Sequence, residues 1–166
     1  MAHKFYIGLD NGVSGAIGIV SDEPGFLPAL FQTPTFSQQN YTKKKGNITR
    51  INIQELESLL EPYKEDSFIL IERPLVNPGR FKATISAVRA LEATLIVIEK
   101  LGIPFEYADS KKWQTALLGT GFKGKELKVA SANISNRLFP HLKDVITKQK
   151  DGDAILMAEY ARRQNF

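Results

Sequence analysis

The chain has 166 residues, of which 43% are hydrophobic and 24% charged, and its formal net charge is +4. This composition is typical of a globular protein with a real core, and we expect a single domain over residues 1–166. The absence of cysteine excludes a disulfide scaffold, a thiolate zinc site and a cysteine nucleophile. No signal-peptide pattern and no apolar run of membrane-spanning length occur, so we expect a cytoplasmic protein without a membrane partner.

The N-terminal third predicts strands. An alternating apolar run ends in Asp10, a glycine-rich turn follows, and a second apolar run begins at Ala16, which together predict a hairpin over 4–10 and 15–20. A third strand is predicted within 25–33. The polar segment 34–47 is interpreted as an exposed, mobile loop.

The rest of the chain alternates helices with strands. Apolar spacing predicts helices over 53–63, 80–100, 123–138 and 153–163, and continuous apolar runs predict strands over 67–72 and 104–108. Gly102 is a stop signal for the long helix, and Asp109 or Ser110 would begin a short helix through Leu117. This order predicts an α/β fold with a central mixed sheet flanked by helices.

Acidic residues stand where elements begin or end. Asp10 and Glu72 end two core strands, and Asp151 and Asp153 open the last helix. Mg²⁺ prefers oxygen ligands, and two divalent ions about 3.5–4 Å apart can activate water and neutralise charge in phosphodiester hydrolysis. The structural alternatives are a turn-former for Asp10, an ion pair with Arg73 or a nearby lysine for Glu72, and a helix cap for Asp153.

The basic residues are clustered along the chain. This distribution favours a nucleic-acid enzyme in which cations bind phosphates, although a solvated surface explains the charge equally well. The clusters are Lys43, Lys44, Lys45 and Arg50; Arg73, Arg80, Lys82 and Arg89; Lys111, Lys112, Lys123, Lys125 and Lys128; and Lys143, Lys148 and Lys150.

Four segments, in order, resemble motifs of RuvC-type Holliday junction resolvases, the phage and bacterial crossover junction endodeoxyribonucleases of the ribonuclease H-like superfamily. They are Ile7-Gly8-Leu9-Asp10-Asn11-Gly12 with Gly15, Ile71-Glu72-Arg73-Pro74 with Asn77-Pro78-Gly79-Arg80, Asp109-Ser110-Lys111-Lys112-Trp113, and Asp153-Ala154-Ile155-Leu156-Met157-Ala158. The likeness covers nearly the whole chain.

The resemblance implies a ribonuclease H-like fold and a homodimer that nicks two opposed strands of a four-way DNA junction in recombination and repair. It implies Mg²⁺ or Mn²⁺, with two ions per site, 5′-phosphate products and no nucleotide cofactor. Asp10, Glu72, Asp153 and Asp151 would be the ligands. It also places the protein in the cytoplasm of a bacterial or phage-infected cell. The apolar face of helix 80–100 is the candidate dimer interface, with packing on the sheet as the alternative.

The chain departs from the family near its end. Lys150 stands where the family has an acidic residue or histidine three positions before the final Asp, and Asp151 lies only two before Asp153. Residues two apart in a helix point to different sides, so Asp151 shares the site only from the turn before the helix, which Gly152 permits. Lys150 is interpreted as an electrostatic stabiliser of the scissile phosphate or as a surface residue.

DNA contacts are predicted beside the carboxylates. An apolar side chain after Glu72, Leu75 or Phe81, would wedge against an unstacked base, with core packing as the alternative for Phe81. Trp113 would stack on a base or lie in the core. Cations near these positions would bind the DNA backbone: Arg73, Arg80, Lys82, Lys111, Lys112, Lys123 and Lys125.

Three other functions remain open on the sequence. A nuclease of the same fold could act on flaps, forks or RNA–DNA hybrids, because substrate choice depends on loops and dimer geometry. A sugar kinase or related ATPase needs two lobes, for which the chain is too short, and the chain lacks a Walker-type loop. A non-catalytic structure-specific DNA-binding module would not need all three acidic groups.

Overall fold

The computed structural model describes residues 3–150 and 152–166. Its strands are β1 Phe5–Leu9, β2 Ala16–Ser21, β3 Ala29–Gln32, β4 Thr35–Gln39, β5 Asn47–Ile51, β6 Ser67–Glu72 and β7 Phe105–Ala108. Its helices are α1 Ile53–Leu60, α2 Phe81–Leu101, α3 Ser110–Leu118, α4 Lys125–Leu138, α5 Lys143–Gln149 and α6 Asp153–Gln164. Short 3₁₀ turns cover Glu61–Tyr63, Pro78–Arg80 and Pro140–Leu142.

A five-stranded mixed sheet in the order β3-β2-β1-β6-β7 lies at the centre. β2 runs antiparallel to β1 and β3, whereas β6 runs parallel to β1 and β7. In the β1–β6 register Leu9 pairs with Ile71, so the carboxyl ends of these two strands coincide. The predicted α/β fold with a central mixed sheet is confirmed.

Both faces of the sheet are buried, and the alternation of side chains along the strands divides the core in two. On β1, Ile7 and Leu9 belong to a cluster with residues of α1 and α2. Tyr6, on the opposite face, belongs to a cluster with residues of α3, α4, α5 and α6. This two-sided burial explains why Phe68–Ile71 is continuously apolar.

The first turn of α6 lies directly on the sheet because two glycines face it. Gly8 of β1 and Gly18 of β2 are cross-strand partners. A Cβ atom at Gly8 would overlap the carbonyl oxygen of Ala154, and one at Gly18 would overlap the backbone of Ile155. The close approach therefore requires glycine at both positions, and it fixes the start of α6 beside the carboxyl end of β1 and the start of β2.

Most predicted elements are confirmed within a few residues, and two helix boundaries follow their expected physical causes. α2 ends at Gly102, which adopts a left-handed φ of 68° and donates its N–H to the carbonyls of Glu99 and Ile98. Asp109 begins α3, since its side chain accepts hydrogen bonds from the backbone N–H groups of Lys111 and Lys112.

Segment 34–47, predicted to be a mobile loop, forms instead most of a β-hairpin. β4 and β5 pair from Thr35 opposite Ile51 to Gln39 opposite Asn47, in a two-stranded sheet of their own. All residues of β4 after Thr35 are exposed. The loop prediction holds for residues 40–46 and was wrong for β4, because a hairpin without a buried face has no apolar alternation to reveal it.

A second difference is α5, which was not predicted. It is one short helix that buries Ile146 and ends where Lys150 adopts a left-handed φ of 65°. Seven residues are too few for a clear helical period, so the apolar pattern does not reveal it.

The apolar stripe of α2 is buried only in its second half. Ala90, Thr94, Val97 and Ile98 are buried. The exposed apolar side chains of the same helix are Phe81, Ile85, Val88 and Ile96. Among the described residues, no helix is both long and apolar enough to cross a membrane.

Candidate active site

Asp10 lies at the carboxyl end of β1, where the chain turns sharply. Its N–H donates to the carbonyl of Ala16 at 3.0 Å, and the N–H of Gly15 donates to the carbonyl of Gly12 at 3.1 Å. A Cβ atom at Gly15 would overlap the carbonyl oxygen of Asp10. The glycine turn therefore closes tightly enough to hold Asp10 in a half-buried position at the sheet edge.

Glu72 occupies the neighbouring strand end. It is the last residue of β6 and pairs with Ala108 of β7. The Ser110 hydroxyl donates to Glu72 Oε1 at 3.2 Å. The chain thus turns from β7 into α3 beside Glu72, and the first residue of that helix contacts its carboxylate. Glu72 therefore accepts from this hydroxyl, and among the described residues it forms no ion pair with Arg73 or a lysine.

Asp153 is the first residue of α6 and contacts a fully buried serine of α4. The Ser131 hydroxyl donates to Asp153 Oδ1 at 2.5 Å and accepts the N–H of Gly152 at 3.2 Å. A Cβ atom at Gly152 would overlap the side chain of Ser135. Ser131 therefore joins α4 to the start of α6, and glycine at 152 is what allows the two helices to approach.

Asp151 lies outside the described residues, so its predicted place in the site stays a prediction. α6 begins at Asp153, and Gly152 precedes it with φ −127° and ψ 21°. Gly152, which separates the two aspartates in the sequence, is therefore not helical.

A cavity of about 210 Å³ opens beside Asp10. It is lined by Asp10, Ser14, Ala16, Gln32, Lys148 and Gln149. Within the described part of the chain, Gln149 Oε1 is buried without a hydrogen-bond partner. The cavity therefore combines a carboxylate, a cation and an unsatisfied amide oxygen, all polar groups suited to a charged substrate or an ion.

The cation on this cavity is Lys148, whereas Lys150 was the sequence-based candidate. Lys150 is exposed at the end of α5. The sequence offered no signal for Lys148, because its position depends on α5. Ser110 and Ser131 were likewise missed, since each contacts a carboxylate that is distant in the chain.

The carboxylates suit a divalent cation by their chemistry and by the elements that carry them. Oxygen donors are the ligands that Mg²⁺ and Mn²⁺ prefer. Within residues 3–150 and 152–166, however, no three His, Cys, Asp or Glu side chains converge closely enough to hold an ion. Any such site thus needs Asp151, a small movement of the carboxylates, or solvent and substrate oxygens to complete it.

No family model and no curated protein matches the chain. Solved structures, in contrast, match nearly its whole length. The chain is similar to RuvC of T. thermophilus in complex with a Holliday junction substrate, with a TM-score of 0.61, 16% identity and 98% of each chain covered. A second structure of Thermus thermophilus RuvC matches with a TM-score of 0.56, 15% identity and 96% of each chain covered. The chain has the RuvC fold. At this identity the likeness establishes the ribonuclease H-like architecture alone.

In this RuvC fold, the predicted DNA contacts lie on the surface with the exception of Trp113. Leu75 and Phe81 are 73% and 70% exposed, so neither is a core residue. Trp113, in contrast, is fully buried, and the stacking role considered for it is wrong. The cations are exposed as well: Arg73, Arg80, Lys82, Lys111, Lys112, Lys123 and Lys125.

Two groups of these residues flank Glu72. Arg73 and Leu75 follow it directly, and Lys111 and Lys112 follow Ser110, whose hydroxyl contacts it. The segment after Glu72 is anchored at its far end, because the Asn77 N–H donates to Thr84 Oγ1 and the Thr84 hydroxyl donates to the Asn77 carbonyl, both at 3.0 Å. Cations and an exposed apolar side chain thus lie beside one candidate carboxylate.

Proposed function

We propose that this protein is a metal-dependent endonuclease that resolves four-way DNA junctions by paired nicks and leaves 5′-phosphate ends. The observation that carries the proposal is the placement of Asp10 and Glu72 at coincident ends of adjacent parallel strands in a RuvC fold. The RuvC structure with a Holliday junction substrate supports branched DNA as the substrate class.

Asp10, Glu72 and Asp153, with Asp151, would hold divalent ions, two per site by analogy with other phosphodiester hydrolases. When bound, such ions activate the attacking water and neutralise charge on the phosphate. The protein's own contribution is orientation. Ser110 fixes one oxygen of Glu72 and Ser131 fixes one oxygen of Asp153, as outer partners of metal ligands commonly do.

Lys148 is the cation best placed to stabilise negative charge near Asp10. It lines the same cavity, and an ammonium group directed at a developing charge in a partly enclosed site is worth more than one in open water. Both lysines are exposed, but Lys148 lines that cavity and Lys150 does not, so we assign this role to Lys148 in place of Lys150.

A homodimer fits both the substrate and the surface. A four-way junction presents two symmetry-related scissile phosphates, which a two-fold protein matches. The first half of α2 exposes Phe81, Ile85 and Val88, at 70%, 39% and 43%. Apolar side chains exposed in a row on one helix are typical of an interface, and α2 remains the candidate for it.

The proposal is tested by incubating the protein with a labelled four-way junction, a linear duplex, a flap and a fork, each with Mg²⁺, Mn²⁺ or EDTA. The expected result is paired, symmetric nicks in the junction alone, abolished by EDTA. Equal cutting of flaps and forks would replace junction resolution by general branched-DNA cleavage. Tight binding without cutting in either metal would indicate a non-catalytic binding module and contradict the proposal.

A further inference from the structure

The β4–β5 hairpin plays no part in the site described above, yet it concentrates positive charge. Its tip carries Lys43, Lys44 and Lys45, and β5 carries Arg50. Between Glu23 and Glu55 the sequence contains no acidic residue. We call residues 35–51 the basic hairpin, because its charge is entirely of one sign.

The tip of the basic hairpin is a defined turn. The Asn40 N–H donates to the Gly46 carbonyl at 2.8 Å. Asn40 Oδ1 accepts the N–H of Thr42 at 3.1 Å and its hydroxyl at 2.7 Å. The Thr42 hydroxyl also contacts the Lys44 carbonyl, at 3.0 Å. These bonds fix the backbone that carries the lysines, so their charges are presented together.

The charges of the tip are open to a partner. Lys43, Lys44 and Lys45 are all exposed, and Tyr41 beside them is 88% exposed. Within the described residues no carboxylate forms an ion pair with the three lysines. Concentrated cations with an exposed aromatic ring are the usual surface signature of nucleic-acid binding.

The base of the basic hairpin lies next to the candidate active site. Gln32, the last residue of β3, lines the cavity beside Asp10, and β4 begins three residues later at Thr35. β4 has five residues and therefore spans about 17 Å, at roughly 3.4 Å per residue. Phosphates of one DNA strand are about 3.4 Å apart along the helix axis, so the tip can reach about five base pairs from the carboxylates.

We propose that the basic hairpin is a second DNA-binding site, which contacts the phosphate backbone of one duplex arm about five base pairs from the cleaved bond. The inference rests on the proposed function for the identity of the substrate. Adjacent lysines on flexible stems suit a row of phosphates, whereas a single carboxylate of a protein partner would engage only one of them. Arg50 is already engaged, since its guanidinium donates to Gln38 Oε1 and lies over the Phe36 ring.

The test compares two triple variants with equal loss of charge. The first replaces Lys43, Lys44 and Lys45 with Gln. The control replaces Lys4, Lys64 and Lys100 with Gln, which pair with Glu23, Glu61 and Glu57 and lie away from the hairpin tip. Junction affinity is measured in EDTA across about 50 to 200 mM salt, where each phosphate contact contributes about 0.9 to the slope of log K against log salt.

The hairpin variant is expected to lose about 2 to 3 units of this slope, and the control less than about 1. Phosphate-modification interference should also disappear about five base pairs from the nick in the hairpin variant only. Equal slopes for the two variants would overturn the inference. A hairpin variant that changes the oligomeric state without changing the salt slope would overturn it too, and would assign the hairpin to contacts between copies.

Failure of this inference can be told apart from failure of the proposed function. If the unmodified protein binds the junction and cleaves it while both variants keep its salt slope, only the hairpin site is wrong. If the unmodified protein binds neither junction nor duplex, the proposed function fails and the hairpin proposal fails with it. Thermal unfolding of both variants verifies that they fold, which we expect because none of the six lysines is buried.

Discussion

At the scale of single residues, the candidate site consists of carboxylates that the sequence reveals and hydroxyls that it does not. Asp10 and Glu72 each follow an apolar run, so a strand pattern suffices to place them at a sheet edge. Ser131 meets Asp153 across 22 positions and Ser110 meets Glu72 across 38. Contacts of that kind depend on how helices pack, which no local pattern encodes.

Replacing Ser131 with Ala removes the donor to Asp153 Oδ1 and leaves the Gly152 N–H without its acceptor. We expect the free energy of unfolding to fall by about 1–2 kcal/mol, the usual cost of an orphaned buried group. Loss of a residue that hydrogen-bonds to a metal ligand typically lowers metal affinity about 10- to 100-fold. The Mg²⁺ concentration for half-maximal cleavage should therefore rise by a similar factor.

Ser135→Ala is the matched control, because among the described residues the Ser135 hydroxyl bonds to the carbonyls of Ser131 and Ala132, in the same helix, and to no carboxylate. It should change stability with little effect on the Mg²⁺ dependence. A Ser131→Ala protein with an unaltered Mg²⁺ titration would mean that Ser131 is structural alone.

Lys148 and Lys150 form a second matched pair of residues. Lys148→Ala should lower kcat about 10-fold or more, because the cavity beside Asp10 loses its cation. Lys150→Ala should leave kcat within about twofold, because Lys150 does not line this cavity. The measurement is single-turnover cleavage of a four-way junction at saturating protein. The opposite ranking would restore the role that the sequence suggested for Lys150.

At the scale of elements, prediction succeeded where one face or both faces are buried and failed where neither is. The core sets the apolar patterns of β1, β2, β6 and α2, and all four elements were predicted. The basic hairpin has no buried face over most of β4, so its polar sequence resembles a loop. α5 is too short for a period, and the lysine on the cavity was missed with it.

The contact between α6 and the sheet provides a prediction at this scale. Gly18→Ala places a Cβ atom against the backbone of Ile155 and Ala154, neither of which can move without displacing α6. We expect a loss of stability of about 3 kcal/mol, at the upper end for overpacking, measured by urea unfolding. Cleavage should fall as well, because Asp153 moves with the helix.

Gly79→Ala is the control for stability. Gly79 is exposed, and a Cβ atom there would lie 3.3 Å from Asn77 Oδ1, the end of a side chain that can adjust. Its unfolding midpoint should change little. Equal stability of the two variants would contradict the close approach of α6.

At the scale of the whole molecule, both core clusters share one sheet, which is why we propose a single domain over 1–166. Ion pairs hold the C-terminal end of α6 to the rest of the molecule. Glu159, 5% exposed, accepts hydrogen bonds from Arg162 and Arg163. Arg162 in turn pairs with Asp22 at 2.6 Å, near the end of β2. Asp22 therefore links the C-terminal helix, through Arg162, to the antiparallel half of the sheet.

The stability of the protein should depend on the charge of Glu159. Burial raises the pKa of Glu159, but the hydrogen bonds and charges of Arg162 and Arg163 outweigh burial and leave that pKa below its usual value. In the unfolded chain the group titrates near its usual pKa of about 4.3. Its contribution to stability is therefore fully present above that pH and is lost as the pH falls through the lowered folded pKa.

Glu159→Gln should cost about 1–3 kcal/mol at pH 7, since it removes the charge that pairs with two arginines at a buried position. The difference in unfolding free energy from the unmodified protein should stay constant down to about pH 5 and shrink as the pH falls below that value. Urea unfolding at several pH values measures this difference, and each protein should unfold in one cooperative transition. A difference that stays constant with pH would show that the charge of Glu159 is not what stabilises α6.

The most direct test of the central claim is junction cleavage by Asp10→Asn and Glu72→Gln proteins, with junction affinity measured in parallel. Each change keeps the shape of the side chain and removes its charge. We expect cleavage to fall at least about 1,000-fold in both, since ligands of a catalytic metal are lost, while binding to a four-way junction stays within about threefold. Cleavage at the unmodified rate by either variant would contradict the assignment of these two carboxylates to the active site.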